Sequence, residues 1–377
     1  MKKMNNSVEY RDFKRFANKP MRKEIFSTKI IDWYQANHRN LPWRQTTDPY
    51  KIWLSEVMLQ QTRVAQGLPY FDRFIKSFPT VFDLAKAPEQ NVLRLWQGLG
   101  YYSRARNLHR CAKEVVTSFN GKFPDTFERL TKLPGIGDYT AAAVASIAFR
   151  EPVAVVDGNV FRVLSRIFGV ETDIASKEGK TYFSVLANNL IDKIRPDLFN
   201  QALMEFGALH CLPKNPKCSD CIYSKSCEAN QRNLQAVLPV KSKKQKIRTR
   251  YFYYFIFKNK NRILMKTRTQ KDIWRELNDF YLIETSRRKT PEALVKNDSL
   301  LQKSLILRKS SLYKHVLSHQ KLMVKFIMVQ SELTKKKETL FRQAGLHWLT
   351  KQQVEKIPKP ILIERFLKEK IHEQDFW

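Results

Sequence analysis

Four cysteines lie in one short stretch of the chain, and their spacing constrains the fold more than any other feature. Cys211, Cys218, Cys221 and Cys227 form the pattern C-x6-C-x2-C-x5-C. They are too crowded for a disulfide framework, but four thiolates on a compact loop can ligate one Zn²⁺ or one iron–sulfur cube. Zinc usually draws on two Cys-x-x-Cys pairs, whereas this stretch holds one. The spacing therefore favours a cluster and leaves zinc as the alternative.

The chain is strongly basic. Its 377 residues include 68 Lys and Arg against 36 Asp and Glu, a formal net charge of +32. The charge is uneven, because residues 229–377 hold 34 basic and 13 acidic residues. A soluble protein this basic usually meets a polyanion, most often nucleic acid. A lysine-rich composition that serves solubility alone stays the alternative.

Nothing in the sequence points to a membrane. No apolar run reaches the roughly 20 residues that a spanning helix needs. The basic start of the chain lacks the hydrophobic stretch of a secretory signal. We therefore expect a cytoplasmic protein without a membrane partner.

The hydrophobic pattern divides the chain into four parts. Residues 1–23 have no clear pattern, and we expect them to be disordered. Residues 24–228 show helical periodicity with proline and glycine breaks, which predicts an all-α domain. Residues 229–250 are weakly periodic and end in six basic residues out of ten, typical of a basic linker. Residues 251–377 mix both periodicities and predict an α+β domain.

The C-terminal part contains distinct strand and helix patterns. Runs rich in β-branched and aromatic residues predict strands at YFYYFIF, RILMKTR, HVLSH and KLMVKFIMVQ. The segments PEALVKNDSLLQKSL and IPKPILIERFLKEKI predict helices.

A glycine-rich turn lies between two helical stretches, at Leu133-Pro134-Gly135-Ile136-Gly137. Gly135 and Gly137 permit a tight turn, so backbone N–H groups and the next helix N-terminus can face a phosphate. Any close helix–helix turn could use the same residues, which is the alternative interpretation.

Asp157 stands immediately before an apolar helical stretch, in the segment VVDGNV. This position predicts an N-cap. The helix terminus should hold the carboxylate rigidly and keep it ionised. A structural and a catalytic role are compatible here.

Six motifs in order resemble one family. They are LPWR (41–44), SEVMLQQT (55–62), GLGYYSRARNLH (98–109), LPGIGDYTAAA (133–143), VDGNV (156–160) and the cysteine loop. The set is similar to the helix-hairpin-helix glycosylases of the endonuclease III superfamily, and within them to the MutY-type adenine DNA glycosylases. The resemblance implies one 4Fe–4S cluster on the loop at 211–227. It also implies a monomer that acts in base excision repair on double-stranded DNA with adenine mispaired with 8-oxoguanine or guanine.

The same resemblance assigns the catalytic residues. Bifunctional relatives carry a lysine where this chain has Tyr139, so a monofunctional enzyme is implied. Glu56 would protonate adenine, and its apolar neighbours should raise its pKa. Without the resemblance, the alternative interpretation is a partly exposed glutamate on a helix. Asp157 would stabilise or trap the oxocarbenium ion of the sugar. Asn159 and Tyr139 would orient water or the carboxylates, and Arg44 and Gln201 would line the pocket.

An enzyme that acts on a base must take that base out of the duplex. The candidates for filling the hole and stacking beside the partner base are Leu59, Gln60, Gln61, Tyr101 and Tyr102. Gln61 and Tyr101 resemble the wedge residues of the family, with the choice between the two tyrosines left open.

The C-terminal domain resembles the Nudix-like domain that contacts 8-oxoguanine in this family. The similar segments are KDIWRELNDFYLIE (271–284) and HVLSH (315–319). Ser318 and His319 would hydrogen-bond the oxidised purine, while Leu317 departs from the usual Phe of the family. A β-hairpin edge with incidental polar residues is the alternative. Residues 229–377 contain one glycine, Gly345, so an active Nudix pyrophosphatase is not expected.

Two rival functions remain. A bifunctional glycosylase/lyase for oxidised pyrimidines is opposed by Tyr139 and the second domain. A non-catalytic DNA-binding protein with the same fold is opposed by the presence of both Glu56 and Asp157.

Overall fold

The computed structural model describes residues 23–242, 247–317 and 320–370. They form two compact units, the first from residues 23–85 and 110–242 and the second from residues 86–109 and the described residues after 246. The sequence did not predict that residues 86–109 group with the C-terminal part. The proposed disorder of residues 1–23 concerns residues that, apart from Lys23, lie outside this description. In the described ranges, no helix is long and apolar enough to cross a membrane.

The described chain up to residue 242 is helical, as its periodicity predicts. The helices are α1 (Lys23–Asn37), a 3-10 turn (Pro42–Arg44), α2 (Pro49–Leu59), α3 (Val64–Ser77), α4 (Val81–Lys86), α5 (Glu89–Trp96), α6 (Tyr102–Phe119), α7 (Phe127–Leu130), α8 (Asp138–Phe149), α9 (Gly158–Phe168), α10 (Lys177–Leu190), α11 (Pro196–Leu209) and α12 (Glu228–Gln231).

The core that positions the site is formed where α9 and α11 pack against each other and α11 packs against α1. Leu164 of α9, Leu203 and Phe206 of α11, and Phe26 of α1 are all buried in this core. Helix α9 begins within the VDGNV segment, and α11 is the helix that precedes the cysteine loop. Packing of this core therefore fixes the two segments from which much of the site is built.

The first part of the expected linker is not a free connection. Leu238 is 2% exposed and belongs to the core of the first unit. The carbonyl of Leu238 accepts a hydrogen bond from Arg166 Nε at 3.1 Å, and the carbonyl of Val240 accepts one from Ile174 N. One buried side chain and two backbone carbonyls thus bind this segment to the first unit, and residues 243–246 lie outside the described residues.

The second unit contains a mixed sheet. Its described strands are β1 (Arg248–Asn259), β2 (Arg262–Thr267), β3 (Asn278–Asp279), β4 (Tyr281–Thr285), β5 (Leu305–Lys309), β6 (Tyr313–Val316), β7 (Gln320–Gln330) and β8 (His347–Thr350). The hydrogen-bonded order runs β3-β2-β1-β7-β5, with β4 on β1, β6 on β7 and β8 on β2. Strands β1 and β7 are parallel and in register from Arg248↔Gln320 to Phe257↔Val329.

Helices α13 (Pro291–Asn297), α14 (Lys335–Gln343), α15 (Lys351–Lys356) and α16 (Ile361–Lys370) complete the second unit. The predicted helix over residues 291–305 is too long. Asp298 ends it, because its carboxylate accepts hydrogen bonds from the backbone N–H groups of Leu300 and Leu301 and forms a turn. Leu305 then begins strand β5. The α+β character predicted for this part is confirmed.

Candidate active site

A cavity of about 710 Å³ lies in the first compact unit. This volume is within the usual range for a ligand pocket. Side chains of the 3-10 turn, α2, α8, α11 and the start of α9 line it. The residues predicted from sequence that it brings together are Arg44, Glu56, Leu59, Tyr139, Asp157, Asn159 and Gln201.

Glu56 is the buried acid of this pocket. It lies on α2, whose side chains are almost all buried, and it is 8% exposed. Burial raises the pKa of Glu56 to about 7, although the Tyr139 hydroxyl lowers it by donating a 2.6 Å hydrogen bond to Oε2. The charge of Asp157 adds to the increase and that of Arg44 opposes it. A carboxyl with this pKa can donate a proton near neutral pH.

Asp157 caps α9, as its position in the sequence predicts. Its Oδ1 accepts hydrogen bonds from the backbone N–H groups of Asn159 and Val160 at 2.9 and 2.8 Å, and Oδ2 accepts one from Asn159 Nδ2 at 2.8 Å. Burial nevertheless raises the pKa of Asp157 above its ordinary value, while these N–H donors lower it. The predicted cap is present and favours the ionised form, and desolvation is a larger effect in the opposite direction.

Arg44 is held by a partner that sequence reasoning missed. Glu205 of α11 accepts hydrogen bonds from Arg44 Nη1 at 2.8 Å and Nη2 at 2.7 Å. Arg39 Nε and Nη2 donate to the same carboxylate at 2.8 and 2.5 Å. Burial alone would raise the pKa of Glu205, but the two arginines lower it to about 2. An acidic residue within the apolar helix segment FNQALMEFGAL was the available signal for this site.

Gln201 lies one helical turn before Glu205 on the same helix. Its Oε1 accepts a 3.1 Å hydrogen bond from the Tyr34 hydroxyl. The Arg44 guanidinium lies 5.5 Å from the centre of the Tyr34 ring. Gln201 therefore reaches the pocket in a fixed orientation.

Arg162 joins the Asp157 turn to the cysteine loop. Its Nη2 donates to Asn159 Oδ1 at 2.8 Å and to the Gly207 carbonyl at 2.7 Å. Its Nε donates to the carbonyl of Cys211 at 2.8 Å. Sequence reasoning missed Arg162, which follows VDGNV by two positions on α9.

Arg166, one helical turn after Arg162 on α9, donates hydrogen bonds to the start of the cysteine loop. Arg166 Nη1 donates to the Leu212 carbonyl at 2.6 Å and to Cys211 Sγ at 3.4 Å. The backbone N–H of Tyr223 donates to Cys221 Sγ at 3.4 Å. Burial and, to a smaller extent, the charges of the other three cysteines together raise the pKa of Cys221 to about 11. The four sulfurs are thus close enough to interact electrostatically.

Four thiolates on one loop suit an iron–sulfur cube and also a single zinc. In the described part of the chain, no group of three or more His, Cys, Asp or Glu side chains is placed to hold a metal ion. A single zinc draws its thiolates to about 2.3 Å. A cube keeps them farther apart, because each cysteine binds a different iron. Neighbouring buried thiolates also need a cationic centre to be stable.

The predicted hairpin is present before α8. Gly135 has φ of 76°, in the left-handed region that favours glycine. Gly137 is the N-cap of α8, with φ of −98°, and a Cβ there would meet nothing within 4 Å. Gly135 is therefore required by the backbone conformation, and Gly137 leaves the helix N-terminus uncovered.

The turn after α2 carries three of the predicted DNA-contacting residues. Leu59 ends the helix and lines the pocket, and Gln60 Nε2 donates to Thr140 Oγ1 at 3.1 Å. Gln61 is exposed and has φ of 56°. A left-handed backbone at a non-glycine residue is uncommon.

The two adjacent tyrosines differ sharply. Tyr101 is 43% exposed with φ of 49°, whereas Tyr102 is 5% exposed. The Tyr102 hydroxyl donates to the Lys359 carbonyl within the second unit at 3.4 Å. Tyr102 is therefore largely buried whereas Tyr101 is exposed, and the assignment of either tyrosine to stacking on a base stays a prediction.

A second pocket of about 430 Å³ lies within the second unit. Tyr101 and Arg106 line it together with Trp274, Leu317 and other residues of the C-terminal part. The Trp274 and His315 rings are 5.8 Å apart. Leu317 follows β6, and its N–H donates to the Gln320 carbonyl at 2.8 Å. Ser318 and His319 lie outside the described residues.

Comparison with known proteins matches both parts of the chain. Residues 54–188 match the model of the HhH-GPD superfamily base excision DNA repair protein, and residues 252–369 match the NUDIX domain. These matches confirm the predicted fold classes of the two domains.

Curated relatives of this chain are adenine DNA glycosylases, matched over nearly the whole chain or over part of it. An adenine DNA glycosylase of Buchnera aphidicola subsp. Schizaphis graminum is 36% identical over 344 residues, which cover 89% of this chain and 96% of the relative. The Homo sapiens adenine DNA glycosylase is 44% identical over 55% of this chain and 40% of its own length. Among solved structures, a thermostable thymine-DNA glycosylase is 31% identical with a TM-score of 0.52, covering 56% of this chain and 97% of that one.

Proposed function

The chain belongs to the adenine DNA glycosylase family, and from this membership we propose that it is a monofunctional enzyme for adenine mispaired with 8-oxoguanine or guanine. It hydrolyses the N-glycosidic bond of that adenine in double-stranded DNA. The observation that carries the proposal is Glu56, a buried acid with a pKa of about 7 in the same pocket as Asp157.

Protonation of the base is the first step. Adenine is a poor leaving group until its purine ring gains a proton. Glu56 holds a proton near neutral pH, because desolvation disfavours its charged form. After transfer, the Tyr139 hydroxyl stabilises the carboxylate through the 2.6 Å hydrogen bond. Glu56 acts as the general acid.

Asp157 acts on the sugar. Departure of the base leaves a positively charged oxocarbenium ion, and a nearby carboxylate stabilises that ion or traps it covalently. Three N–H donors hold the Asp157 carboxylate in one orientation and favour its charged form. Asn159, bonded to both Asp157 and Arg162, orients this group. Water then completes the hydrolysis.

The pocket supports a reaction without strand cleavage. A lyase requires an amine that attacks the sugar and forms a Schiff base. The described residues that line this pocket include arginines but no lysine. Tyr139 stands at the position of the lysine of bifunctional relatives, and a phenol cannot form that adduct.

Two exposed residues suit insertion into the duplex. Tyr101 and Gln61 both project from strained, left-handed backbone positions. An aromatic ring at such a site can stack where a base has been removed. The N–H groups around Gly135 and the N-terminus of α8 suit a phosphate of the same strand.

The second pocket is the proposed place for the partner base. Tyr101, Trp274 and Leu317 give it aromatic and apolar walls, and Gln320 adds a polar group. Ser318 and His319 lie outside the described residues, and we assign them to hydrogen bonds with 8-oxoguanine on the resemblance of the segment 315–319.

We also propose that Cys211, Cys218, Cys221 and Cys227 hold one 4Fe–4S cluster. The bound cluster would supply a rigid anchor for the loop and folding free energy rather than a chemical step. Purified protein should contain stoichiometric iron and acid-labile sulfide. Cys218→Ser should lose both and lower the melting temperature, whereas Cys111→Ser, a buried cysteine outside the loop, should keep the full iron content.

The proposal is tested by single-turnover cleavage of a duplex that contains one adenine opposite 8-oxoguanine. Free adenine should be released, and strand breaks should appear only after alkali. Asp157→Asn should still bind the duplex but lose nearly all activity. Asp125→Asn, which alters an exposed carboxylate paired with Arg129, should behave as the parent protein.

Two results would refute the assignment. Release of oxidised pyrimidines with adenine left in place would show that the substrate is wrong. Covalent trapping on DNA by borohydride would show a Schiff base and therefore a lyase.

A further inference from the structure

Glu205 is unusually well bonded for a carboxylate in a pocket wall. It is 1% exposed and accepts five hydrogen bonds from two arginines. Both guanidinium groups bind it through two nitrogens, and the Arg39 backbone N–H adds the fifth bond. Such bidentate pairs fix geometry as well as charge.

The two arginines are part of the same wall as the buried acid. Arg39, Arg44 and Glu205 all line the 710 Å³ pocket with Glu56. The charge of Arg44 acts on Glu56 and opposes the effect of burial. An arginine without its carboxylate partner would act more strongly, because the opposing negative charge would be gone.

We propose that Glu205 is a positioning residue that holds Arg39 and Arg44 in the pocket wall and neutralises their charge beside the catalytic Glu56. The proposal rests on the assignment of Glu56 as the general acid. It explains why a fully buried carboxylate is placed where no step of the reaction uses it. Glu205 acts through the arginines and need not touch the substrate.

The groups that face Glu56 come from several elements. Tyr139 of α8 donates to it, Asp157 before α9 raises its pKa, and Arg44 of the 3-10 turn lowers it. Of these, Arg44 is the group bonded directly to Glu205. Loss of the Glu205 charge therefore reaches Glu56 mainly through Arg44.

The same helix links Glu205 to the shape of the pocket. Gln201 stands one turn earlier and is bonded to Tyr34, whose ring lies beside Arg44. Release of Arg44 would therefore disturb charge and orientation together. The two effects separate in a pH profile, since misorientation lowers the rate at every pH, whereas a changed charge moves the midpoint.

The test compares the single-turnover rate of adenine release as a function of pH in the parent protein and in Glu205→Gln. The rate of a general acid falls as pH rises through its pKa. In Glu205→Gln this fall should occur at lower pH, by on the order of one unit, since a nearby unpaired cation lowers a carboxyl pKa by roughly 1–3 units. The rate at about pH 8 should then drop about tenfold beyond any loss at low pH.

A double variant distinguishes charge from disturbance. Glu205→Gln combined with Arg44→Gln removes both charges, and the midpoint should return towards that of the parent. Asp192→Asn is the matched control, because Asp192 pairs with Arg195 in the same unit outside the pocket. It should leave the midpoint unchanged.

The outcomes are separable. If the parent protein does not release adenine, the proposed function fails. If it does, an unchanged midpoint in folded Glu205→Gln, or a shift that the double variant does not reverse, overturns the role of Glu205. If Glu205→Gln does not fold, Glu205→Asp takes its place. This variant keeps the charge but withdraws it from the guanidiniums, so a smaller shift in the same direction is expected, and no shift overturns the proposal.

Discussion

Replacing Tyr139 with phenylalanine removes the hydroxyl that is bonded to Glu56 and leaves the ring in place. In the structure that hydroxyl donates a 2.6 Å hydrogen bond to Glu56 Oε2. The bond favours the charged carboxylate and lowers the pKa of Glu56 against the effect of burial. Its removal must therefore raise that pKa above about 7.

The size of the change follows from the strength of the bond. A hydrogen bond to a charged group contributes about 1.5–3 kcal/mol. One pKa unit corresponds to about 1.4 kcal/mol, so the pKa of Glu56 should rise by roughly 1–2 units. The protonated acid would then persist to higher pH. The basic limb of the rate profile should move upward by the same amount.

The assay is single-turnover release of adenine measured over a wide pH range. The pH at which the rate has fallen to half of its maximum gives the midpoint of the basic limb, independently of any change in the maximal rate. Tyr50→Phe is the matched control, because Tyr50 is a buried tyrosine of the same helix α2 whose hydroxyl donates to the Phe78 carbonyl at 2.7 Å. It should lose stability without moving the midpoint. A midpoint in Tyr139→Phe that stays or moves to lower pH would refute the assignment of Glu56 as the general acid.

Three further results are expected. Glu56→Gln should lower the single-turnover rate by about 10²–10⁴ while the variant still binds the duplex in a gel-shift assay, and a smaller loss would contradict general acid catalysis. Tyr101→Ala should weaken binding to mismatched DNA by roughly 1–3 kcal/mol in a titration, as expected for a lost stacking partner, whereas Tyr102→Phe should bind normally. Gly135→Ala should destabilise the fold by about 1 kcal/mol in denaturant unfolding because of its positive φ, whereas Gly137→Ala should unfold like the parent; equal effects would contradict the backbone argument.

The fold class was largely predictable because its signals are local. Helical periodicity marked the elements up to α11, and β-branched and aromatic runs marked β1, β2 and β7. Groupings that depend on long-range packing were not predicted. Residues 86–109 look like the helices before them but group with the C-terminal part. The segment around Leu238 looks like a linker but is anchored in the first core.

The site was predicted in part. Resemblance to a family singled out Glu56, Tyr139 and Asp157, and all three line one pocket. Glu205 and Arg162 were missed, since each works through partners distant in sequence. Glu205 binds an arginine 166 residues away, and Arg162 reaches a carbonyl 49 residues away. Neither pairing leaves a pattern that periodicity or spacing can detect.

The sequence by itself determined which chemical groups are available: two carboxylates, a tyrosine in place of a lysine, and four closely spaced cysteines. These depend only on residue identity and on short spacing, and both are visible in the sequence. The sequence indicated that the pKa of Glu56 is raised, and only the tertiary structure decided which groups set it. The pKa of Glu56 depends on desolvation by packed neighbours and on a hydroxyl 83 residues away. It also decided that Tyr101 is exposed and Tyr102 buried, because solvent exposure depends on what packs against each ring.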